Sequence, residues 1–374
     1  SLGGDLKTRS SSASASLSQS SNNQQASSAG TRASMNPSIS LILDVSAAWF
    51  NDSEPMQMGA HDPSQTGFNF QQLEMHAESR VDPYFDFQTN VVFSQFGVEI
   101  EEAYARTLAL PASLQVKGGL FLQAFGRVNP THPHAWNFLD QPLILGTFMG
   151  SEGGRGLGVE ISWLMPMEWF SKLTMSVSQS AGECCSKSFI GTTTEPINGI
   201  EDFIYLLRLE EFWELNANWS LLVGGSCSFG ENKTGLNNHT LLSGGDLLIR
   251  YRPVNSPNRR AMNIQLEWMN RSRQEPNIVL DENGLYLEAV VNWTPEWDTG
   301  FRWELLEGSD KEPSDSGWEV NRMRTAGQVT WKPSHFSRLR LQVGNDNPSP
   351  EADSIWSVML GLEVVVGAHG SHNY

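Results

Sequence analysis

Residues 287–306 read LEAVVNWTPEWDTGFRWELL, and apolar side chains occupy every second position on either side of a Thr-Pro-Glu turn. Leu287, Ala289 and Val291 precede the turn, and Phe301 and Trp303 follow it. Alternation with a period of two around a tight turn predicts a β-hairpin with one dry face and one wet face. The fold then depends on what keeps the dry face out of water.

The same alternation continues from residue 37 to the end of the chain, and no convincing helical period interrupts it. Clear examples are residues 38–50, 157–163, 219–227 and 356–366. Together with weaker segments they predict about sixteen strands and an all-β protein.

The bulk composition limits the classes of protein that fit. The 374 residues are 39% hydrophobic and carry a net charge of −17. No run of roughly eighteen apolar residues is present, which excludes a helical membrane protein. A β-barrel in lipid is still allowed, because its strands need only about ten alternating residues. The acidic balance argues against a nucleic-acid partner, since binding a polyanion requires clustered Lys and Arg.

The connections between the strands are of two alternating kinds. One kind is short and mostly contains proline, near Pro83, Pro111, Pro166, Phe212, Pro253, Pro295 and Pro333. The other kind is longer and polar, at 51–66, 124–155, 181–200, 231–239, 271–283, 309–319 and 345–353, with one tight exception near Gly97. This pattern predicts a transmembrane up-and-down antiparallel β-barrel of the bacterial outer membrane, with the N- and C-termini on the short-turn, periplasmic side.

Tryptophans cluster beside the short turns, at positions such as Trp169, Trp213, Trp293, Trp297 and Trp331. Amphipathic rings at these places are typical of the girdle where a barrel meets lipid headgroups. A soluble sandwich would scatter them through its core. A propeller would need blades of four short strands, whereas the unit here is two long ones. The dry face is therefore predicted to contact lipid or lipopolysaccharide.

The chain divides into two parts by composition. Residues 1–36 form a low-complexity Ser/Gln-rich tail that is expected to be disordered and would fit the start of a processed exported protein. Residues 37–374 form the predicted barrel. Three cysteines, Cys184, Cys185 and Cys227, are too few for a disulfide framework, although the sequence leaves a link from Cys184 or Cys185 to Cys227 open.

Several motifs resemble a known family. They are NPSISLILD at 36–44, VDPYFDF at 81–87, GVEIEEAYARTLALPASLQVKGG at 97–119, FGRVNPTHPHAWNFLDQPL at 125–143, GSEGGRG at 150–156 and the terminal GAHGSHNY. The chain resembles Gram-negative outer-membrane porin-like proteins that are often labelled zinc-regulated outer-membrane receptors and are distantly similar to phosphate-selective porins. The resemblance implies a porin-like barrel of about sixteen strands, and the aromatic last residue, Tyr374, fits a barrel-assembly signal.

If the apolar faces meet lipid, the alternate faces line a lumen, and their charges are sorted by wall. Acidic positions on early strands are Asp44, Glu74, Glu78 and Asp86; basic positions on late strands are Arg250, Arg252, Arg302, Arg322, Arg324, Arg338 and Arg340. Opposed walls of this kind predict a transverse field that sieves ions. The facing of the fourth strand, with Glu99 and Glu101, cannot be fixed from the pattern.

The 124–155 connection is too apolar for a loop in water and is predicted to fold into the lumen as a constriction. It contains His132, His134, Trp136 and Asp140. The His-x-His pair with a nearby carboxylate is a candidate zinc site, and His369 with His372 is a weaker one. Otherwise no cofactor is expected.

The sequence thus predicts an outer-membrane channel for passive diffusion of ions or small solutes, with a homotrimer or a membrane-complex partner as the expected assembly. Two alternatives stay open: a metal-uptake protein with a closed lumen, and a structural barrel that anchors a larger assembly. No enzymatic activity is predicted, because the sequence contains no Gly-rich phosphate loop, CxxC or HExxH motif, and the outward positions are apolar throughout.

Overall fold

The computed structural model describes residues 37–53, 56–95, 97–180, 185–190, 199–254, 260–308, 321–348 and 353–367. These residues form one closed antiparallel barrel in which each strand pairs with its neighbours in sequence and β1 pairs with β16. Closure leaves no unpaired sheet edge. The prediction of an all-β, up-and-down barrel with about sixteen strands is confirmed.

The first eight strands are β1 Ser38–Phe50, β2 Gly67–Arg80, β3 Phe85–Phe93, β4 Val98–Thr107, β5 Leu114–Leu122, β6 Arg155–Leu164, β7 Phe170–Ser180 and β8 Ile204–Glu214. The second eight are β9 Trp219–Glu231, β10 His239–Tyr251, β11 Ala261–Glu275, β12 Ile278–Asn292, β13 Trp297–Glu307, β14 Asn321–Ser334, β15 Ser337–Asn347 and β16 Ile355–Gly367. Among the described residues, the α-helix α1 spans Leu143–Phe148, and short 3₁₀ turns occur at Pro111–Ser113, Pro133–Ala135, Lys187–Phe189 and Ile200–Asp202.

The hairpin at 287–306 forms as its alternation predicts. Ala289 pairs with Phe301 across β12 and β13. The Trp293 N–H donates to the Trp297 carbonyl at 3.0 Å, which closes the turn. Trp297 stacks on Trp331 of the next strand with ring centroids 6.1 Å apart. Both tryptophans are exposed beside the short turns, as predicted for the aromatic rim.

The outward row of the barrel is apolar and uncovered, and its members include Leu41, Val159, Leu207, Phe301 and Leu341. So large an exposed apolar surface is incompatible with water and matches the hydrocarbon of a bilayer. No helix in the described part of the chain is long and apolar enough to cross a membrane.

Two connections differ from their predicted positions. Residues 271–283 are not a long loop, because β11 and β12 extend through them and leave only a two-residue turn between Glu275 and Ile278. The polar side chains of this segment alternate like the rest of the strands, and polarity alone misled the prediction. The turn expected near Phe212 lies at 215–218, and Phe212 belongs to β8.

Both ends of the barrel segment lie at one rim, since Ser40 at the start of β1 pairs with Gly367 at the end of β16. Ser38 also pairs with Glu78 near the end of β2, beside the short turn that leads to β3. The tail 1–36, Cys184, His369 and His372 lie outside the described residues. Cys227 is free, so the link to Cys184 or Cys185 that the sequence allows is not made.

The barrel interior contains an apolar core as well as charges. All six residues of α1 are buried, and they pack with inward-facing side chains of the wall, such as Leu242, Met269 and Leu306. These positions belong to strands that carry apolar residues on both faces, for example LLIRY at 247–251. The lumen is therefore occupied on one side by packed protein.

Candidate functional site

The connection between β5 and β6, residues 123–154, lies inside the barrel, and we call it the inner loop. It begins one residue before the predicted start, and Arg155 already belongs to β6. Its backbone bonds to inward-facing side chains of distant strands: Gly126 N–H donates to Ser226 Oγ at 3.0 Å, and Leu139 N–H donates to Gln342 Oε1 at 2.8 Å. The loop also contains α1, which the sequence did not predict.

Gly126 shows how tightly the inner loop meets the wall. Its φ of +60° lies in the left-handed region, and a Cβ there would come within 1.6 Å of Glu267 Oε1. Only glycine fits such a close approach at positive φ. Glu267 in turn accepts the Val128 N–H at 3.2 Å, so one buried carboxylate of β11 anchors the start of the loop.

Asp140 joins the inner loop to the late strands. Its Oδ1 accepts from Arg302 at 2.7 Å and its Oδ2 accepts from Arg324 at 3.1 Å, while Gln342 donates to Oδ1 at 2.7 Å. All four side chains are buried. Burial raises the pKa of Asp140, but the two guanidiniums more than offset this and hold the pKa below its usual value. The carboxylate therefore remains charged in the lumen.

The basic wall that the sequence predicted is largely neutralised. Arg302 also binds Glu304 at 2.8 Å, and Arg322 and Arg324 share Asp346 at 2.7 and 2.8 Å. The remaining pairs are Arg338 with Glu363 at 2.5 Å and Arg340 with Glu363 at 3.5 Å. On the late strands the prediction counted only the arginines, although the same alternation places Glu304, Asp346 and Glu363 on the inner face. Counting both signs would have found them.

The opposite, acidic wall receives the two histidines of the inner loop, whose rings stack 5.7 Å apart. His134 Nδ1 lies 2.6 Å from Glu74 Oε2 on β2. His132 Nδ1 lies 3.1 Å from Glu101 Oε2, and its Nε2 lies 2.9 Å from Glu102 Oε2, both on β4. Burial lowers the pKa of His132, but Glu74, Glu101 and Glu102 outweigh this effect and raise it well above its usual value.

Glu101 and Glu102 both face the interior because β4 carries a bulge. Asn90 of β3 pairs with Glu102, whereas Val91 pairs with Ile100, so Glu101 is the extra residue. A bulge inserts one extra residue, so the inward-facing positions shift by one residue from one side of it to the other. Strict alternation therefore cannot predict which side chains of such a strand face inward. The bulge is the reason that two adjacent glutamates reach one site.

A third histidine, from the connection between β1 and β2, completes the cluster on this wall. His61 Nε2 lies 3.1 Å from Glu152 Oε2 and 3.6 Å from Glu101 Oε1. The sequence analysis missed His61 and Glu152, since they lie 40 and 51 residues from Glu101 and only folding unites them. Asp140 is not part of the cluster: it binds Arg302 and Arg324 instead, which corrects its expected place beside His132 and His134.

A cavity of about 680 Å³ lies between the inner loop and the late strands, beside the short turns at Pro295 and Pro333. Arg127 of the loop, Arg250 near the end of β10 and Arg252 just after it line the cavity, as do the carboxylate-paired Arg302 and Arg338. Within the described part of the chain, no carboxylate lies within ion-pair distance of the Arg127, Arg250 and Arg252 guanidiniums, and Arg250 is subject to repulsion from the other two. We call these three residues the open arginine cluster.

The other predicted lumen residues take structural positions. Asp44 is buried 4.0 Å from Arg340, and Glu78 and Asp86 lie near the short-turn rim, where Asp86 binds Arg106 at 2.6 Å. The Trp136 indole donates to the Thr131 carbonyl at 2.9 Å within the inner loop. Of these four, Trp136 also lines the cavity of the open arginine cluster.

The fold is that of outer-membrane porins and channels. DcaP, an outer-membrane channel of Acinetobacter baumannii, superimposes with a TM-score of 0.57 at 12% identity over 89% of this chain and 97% of its own. The anion-selective porin from Comamonas acidovorans gives 0.55 at 10% identity over 88% and 99%. At these identities the likeness concerns the fold alone.

In sequence, the chain is 31% identical over 386 residues to an uncharacterised protein of Aquifex aeolicus, covering 90% of this chain and 80% of that protein. The chain belongs to the same family as that Aquifex protein. No family model matches it.

Proposed function

We propose that the protein forms a bacterial outer-membrane channel through which small solutes diffuse passively, with the inner loop narrowing the lumen. The observation that carries the proposal is the cavity of about 680 Å³ inside a closed barrel whose outer row is apolar. The shared fold with an outer-membrane channel supports it. In this orientation the short turns and both barrel ends face the periplasm, and the tryptophan rim contacts lipid or lipopolysaccharide headgroups.

The channel prefers anions in this proposal. Arg127, Arg250 and Arg252 point a concentrated positive charge into the cavity, and low-dielectric walls focus such a field. The net charge of −17 does not oppose this, because ions respond to the charge along their path. The arginines of β13 to β15 contribute less, since carboxylates balance them.

Planar-bilayer recording of the purified, detergent-solubilised protein tests both statements. We expect discrete ohmic conductance steps. Under a KCl gradient we expect a reversal potential that is shifted toward the equilibrium potential of chloride. Phosphate in place of chloride then measures the preference among anions. A silent bilayer from protein that is shown to be folded by heat-modifiable migration would contradict the channel, and a reversal potential on the potassium side would contradict the anion preference.

A closed uptake protein for a metal ion is the second candidate function. The observation that favours it is that the inner loop bonds to both walls of the barrel, through Asp140 on one side and His132 on the other. Such a protein gives no ohmic steps but binds its ligand, so the same recording separates the two candidates. The homotrimer and the absence of enzymatic activity stay predictions, and cross-linking in detergent tests the former.

A further inference from the structure

The cluster where the inner loop meets the acidic wall has the composition of a metal centre. Two triads of potential ligand atoms share Glu101: His61, Glu101 and Glu152 form one, and Glu74, Glu101 and His132 form the other. The ligand atoms of each triad lie within 4.8 Å of one another. From these residues we propose that the cluster binds a divalent transition-metal ion of the class that prefers imidazole and carboxylate ligands, with Glu101 as the shared ligand.

The distances between the potential ligand atoms suit such an ion. Two ligand atoms about 2.1 Å from a tetrahedral Zn²⁺ lie roughly 3.4 Å apart. His61 Nε2 lies 3.6 Å from Glu101 Oε1 and 3.1 Å from Glu152 Oε2. His132 Nδ1 lies 3.1 Å from Glu101 Oε2 and 4.0 Å from Glu74 Oε1. Small side-chain movements bring each triad to coordination distance.

The atoms that do not face the ion are already bound, and each such bond orients a ligand. His61 Nδ1 lies 3.4 Å from the Gln71 carbonyl, which leaves Nε2 as the ligand atom. His132 Nε2 lies 2.9 Å from Glu102 Oε2, which leaves Nδ1. Carboxylate or carbonyl partners on the far nitrogen are characteristic of metal-binding histidines, because they fix the tautomer and raise the basicity of the ligand.

Glu74 gives an independent sign of a missing ligand. Its Oε2 is 2.6 Å from His134 Nδ1, but its Oε1 is buried without a hydrogen-bond partner and faces the His132 side of the cluster. A buried carboxylate oxygen with no partner is costly. A bound cation would satisfy it.

The cluster also has space for an ion, and its ligands favour some metal ions over others. A cavity of about 20 Å³, the size of a single water or ion, is lined by His61, Glu101, His132 and Glu152. All four side chains are largely buried. Each triad, with one imidazole and two carboxylates, favours Zn²⁺, Co²⁺ or Ni²⁺ over Mg²⁺ and Ca²⁺, which prefer all-oxygen sites.

The ion would fix the inner loop to the wall, since His132 and Glu152 belong to the loop, whereas Glu74 and Glu101 belong to β2 and β4. Without the ion, imidazolium–carboxylate pairs make the same connection. The two arrangements differ in one measurable respect: the first takes up metal with a defined stoichiometry and releases protons, and the second takes up none.

Titration of the metal-stripped full chain in detergent with ZnCl₂, followed by calorimetry and by metal analysis after gel filtration, tests the proposal. Co²⁺ serves as a spectroscopic probe, because visible absorption bands report its coordination geometry. We expect saturable Zn²⁺ binding and proton release for the wild type. Glu101→Gln keeps the size of the side chain and should weaken binding by more than about a hundredfold, and Glu102→Gln by about tenfold or more.

Glu160→Gln is the matched control, since Glu160 is a buried wall carboxylate that binds Lys117 at 3.0 Å outside the cluster. It should bind Zn²⁺ like the wild type. If Glu101→Gln does not form a heat-modifiable barrel, Glu152→Gln, which lies outside the strands, replaces it. The proposal is overturned if the folded wild type takes up no Zn²⁺, or if the folded ligand variant binds as tightly as Glu160→Gln.

Discussion

The lumen contains two groups of arginines that the sequence does not distinguish. Arg302, Arg322, Arg324 and Arg340 are buried, and each lies beside at least one carboxylate. The open arginine cluster lines a cavity and has no carboxylate within ion-pair distance among the described residues. The first group holds the inner loop and the wall together, and the second is available to a solute.

The difference shows that position on the inner face of a barrel does not make a charge part of the permeation path. Arg340 uses its guanidinium to bind the Trp136 and Phe138 carbonyls of the inner loop at 3.1 and 3.2 Å. A buried, paired guanidinium contributes little field beyond its partner. What separates the two groups is pairing: Arg302 also lines the cavity, but its guanidinium is bound to Asp140 and Glu304.

Replacing Asp140 with asparagine should have the largest effect. The change leaves Arg302 and Arg324 with one carboxylate fewer in a buried site, where breaking an ion pair costs about 3 kcal/mol. We expect the inner loop to detach from the late strands, which uncovers Arg324 and leaves the charge of Arg302, a residue that already lines the cavity, less compensated. Single-channel conductance and anion preference should both rise in planar bilayers.

Asp86→Asn is the control for this change, because Asp86 also binds an arginine, Arg106, but does so at the half-exposed rim. It should leave conductance unaltered. If Asp140→Asn behaves in the same way, the inner loop is not held by the buried arginines, and the distinction between the two groups is lost.

Arg250→Gln with Arg252→Gln should have the next largest effect. At about 4 Å in water a unit charge is worth about 1 kcal/mol, so removing two is worth about 2 kcal/mol and should lower the chloride-to-potassium permeability ratio by about thirtyfold. Conductance should change little, since neither side chain holds the inner loop. Reversal potentials under a KCl gradient measure the ratio, and the shift should shrink in high salt because the charges are screened.

The comparison variant is Arg80→Gln with Arg106→Gln, which removes the same charge at the same rim but outside the cavity. It should shift the reversal potential much less. Equal shifts in the two double variants would mean that overall charge, and not the open cluster, sets the selectivity.

The fold could be predicted from the sequence to a large extent, because a bilayer imposes one rule on every strand. The alternation in 287–306 was enough to give the hairpin, its facing and its turn. Features that depend on distant residues could not be predicted. The β4 bulge at Glu101 breaks the alternation locally, and α1 is an apolar segment whose helical form depends on packing against Met269 and Leu306.

The candidate sites were predicted less well, and the reasons are specific. Arg250 and Arg324 occupy equivalent positions in the alternating pattern, but Arg324 is paired by Asp346 of the neighbouring strand and by Asp140 of the inner loop, whereas Arg250 has no such partner among the described residues. His132 was identified from the His-x-His spacing, but its partners Glu74 and Glu101 come from the wall, and His61 from a different loop. Spacing along the chain detects ligands on one segment and misses those that meet across a barrel.

Acidification provides a smaller, graded test of the first group, the buried arginines that are paired with carboxylates. The folded pKa of Asp140 lies below its ordinary value of 3.8, so its contribution to loop attachment is complete above that pH and is lost as the pH falls through the folded value. Wild type and Asp140→Asn should therefore differ in conductance from neutral pH down to about pH 4 and converge only below it. Convergence already at pH 6 would show that Asp140 is not stabilised by Arg302 and Arg324.

Arg322→Lys should have the smallest effect. It tests whether a carboxylate-paired arginine of the first group can be changed without altering permeation. Arg322 donates two hydrogen bonds to Asp346, from Nε at 3.0 Å and from a terminal nitrogen at 2.7 Å, and it also binds the Met56 carbonyl. Lysine retains the charge but cannot make the bidentate contact. The free energy of unfolding in detergent should fall by about 1 kcal/mol, whereas the reversal potential should stay within error of the wild type. A shift comparable to that of the Arg250 and Arg252 variant would place Arg322 in the permeation path and unite the two groups.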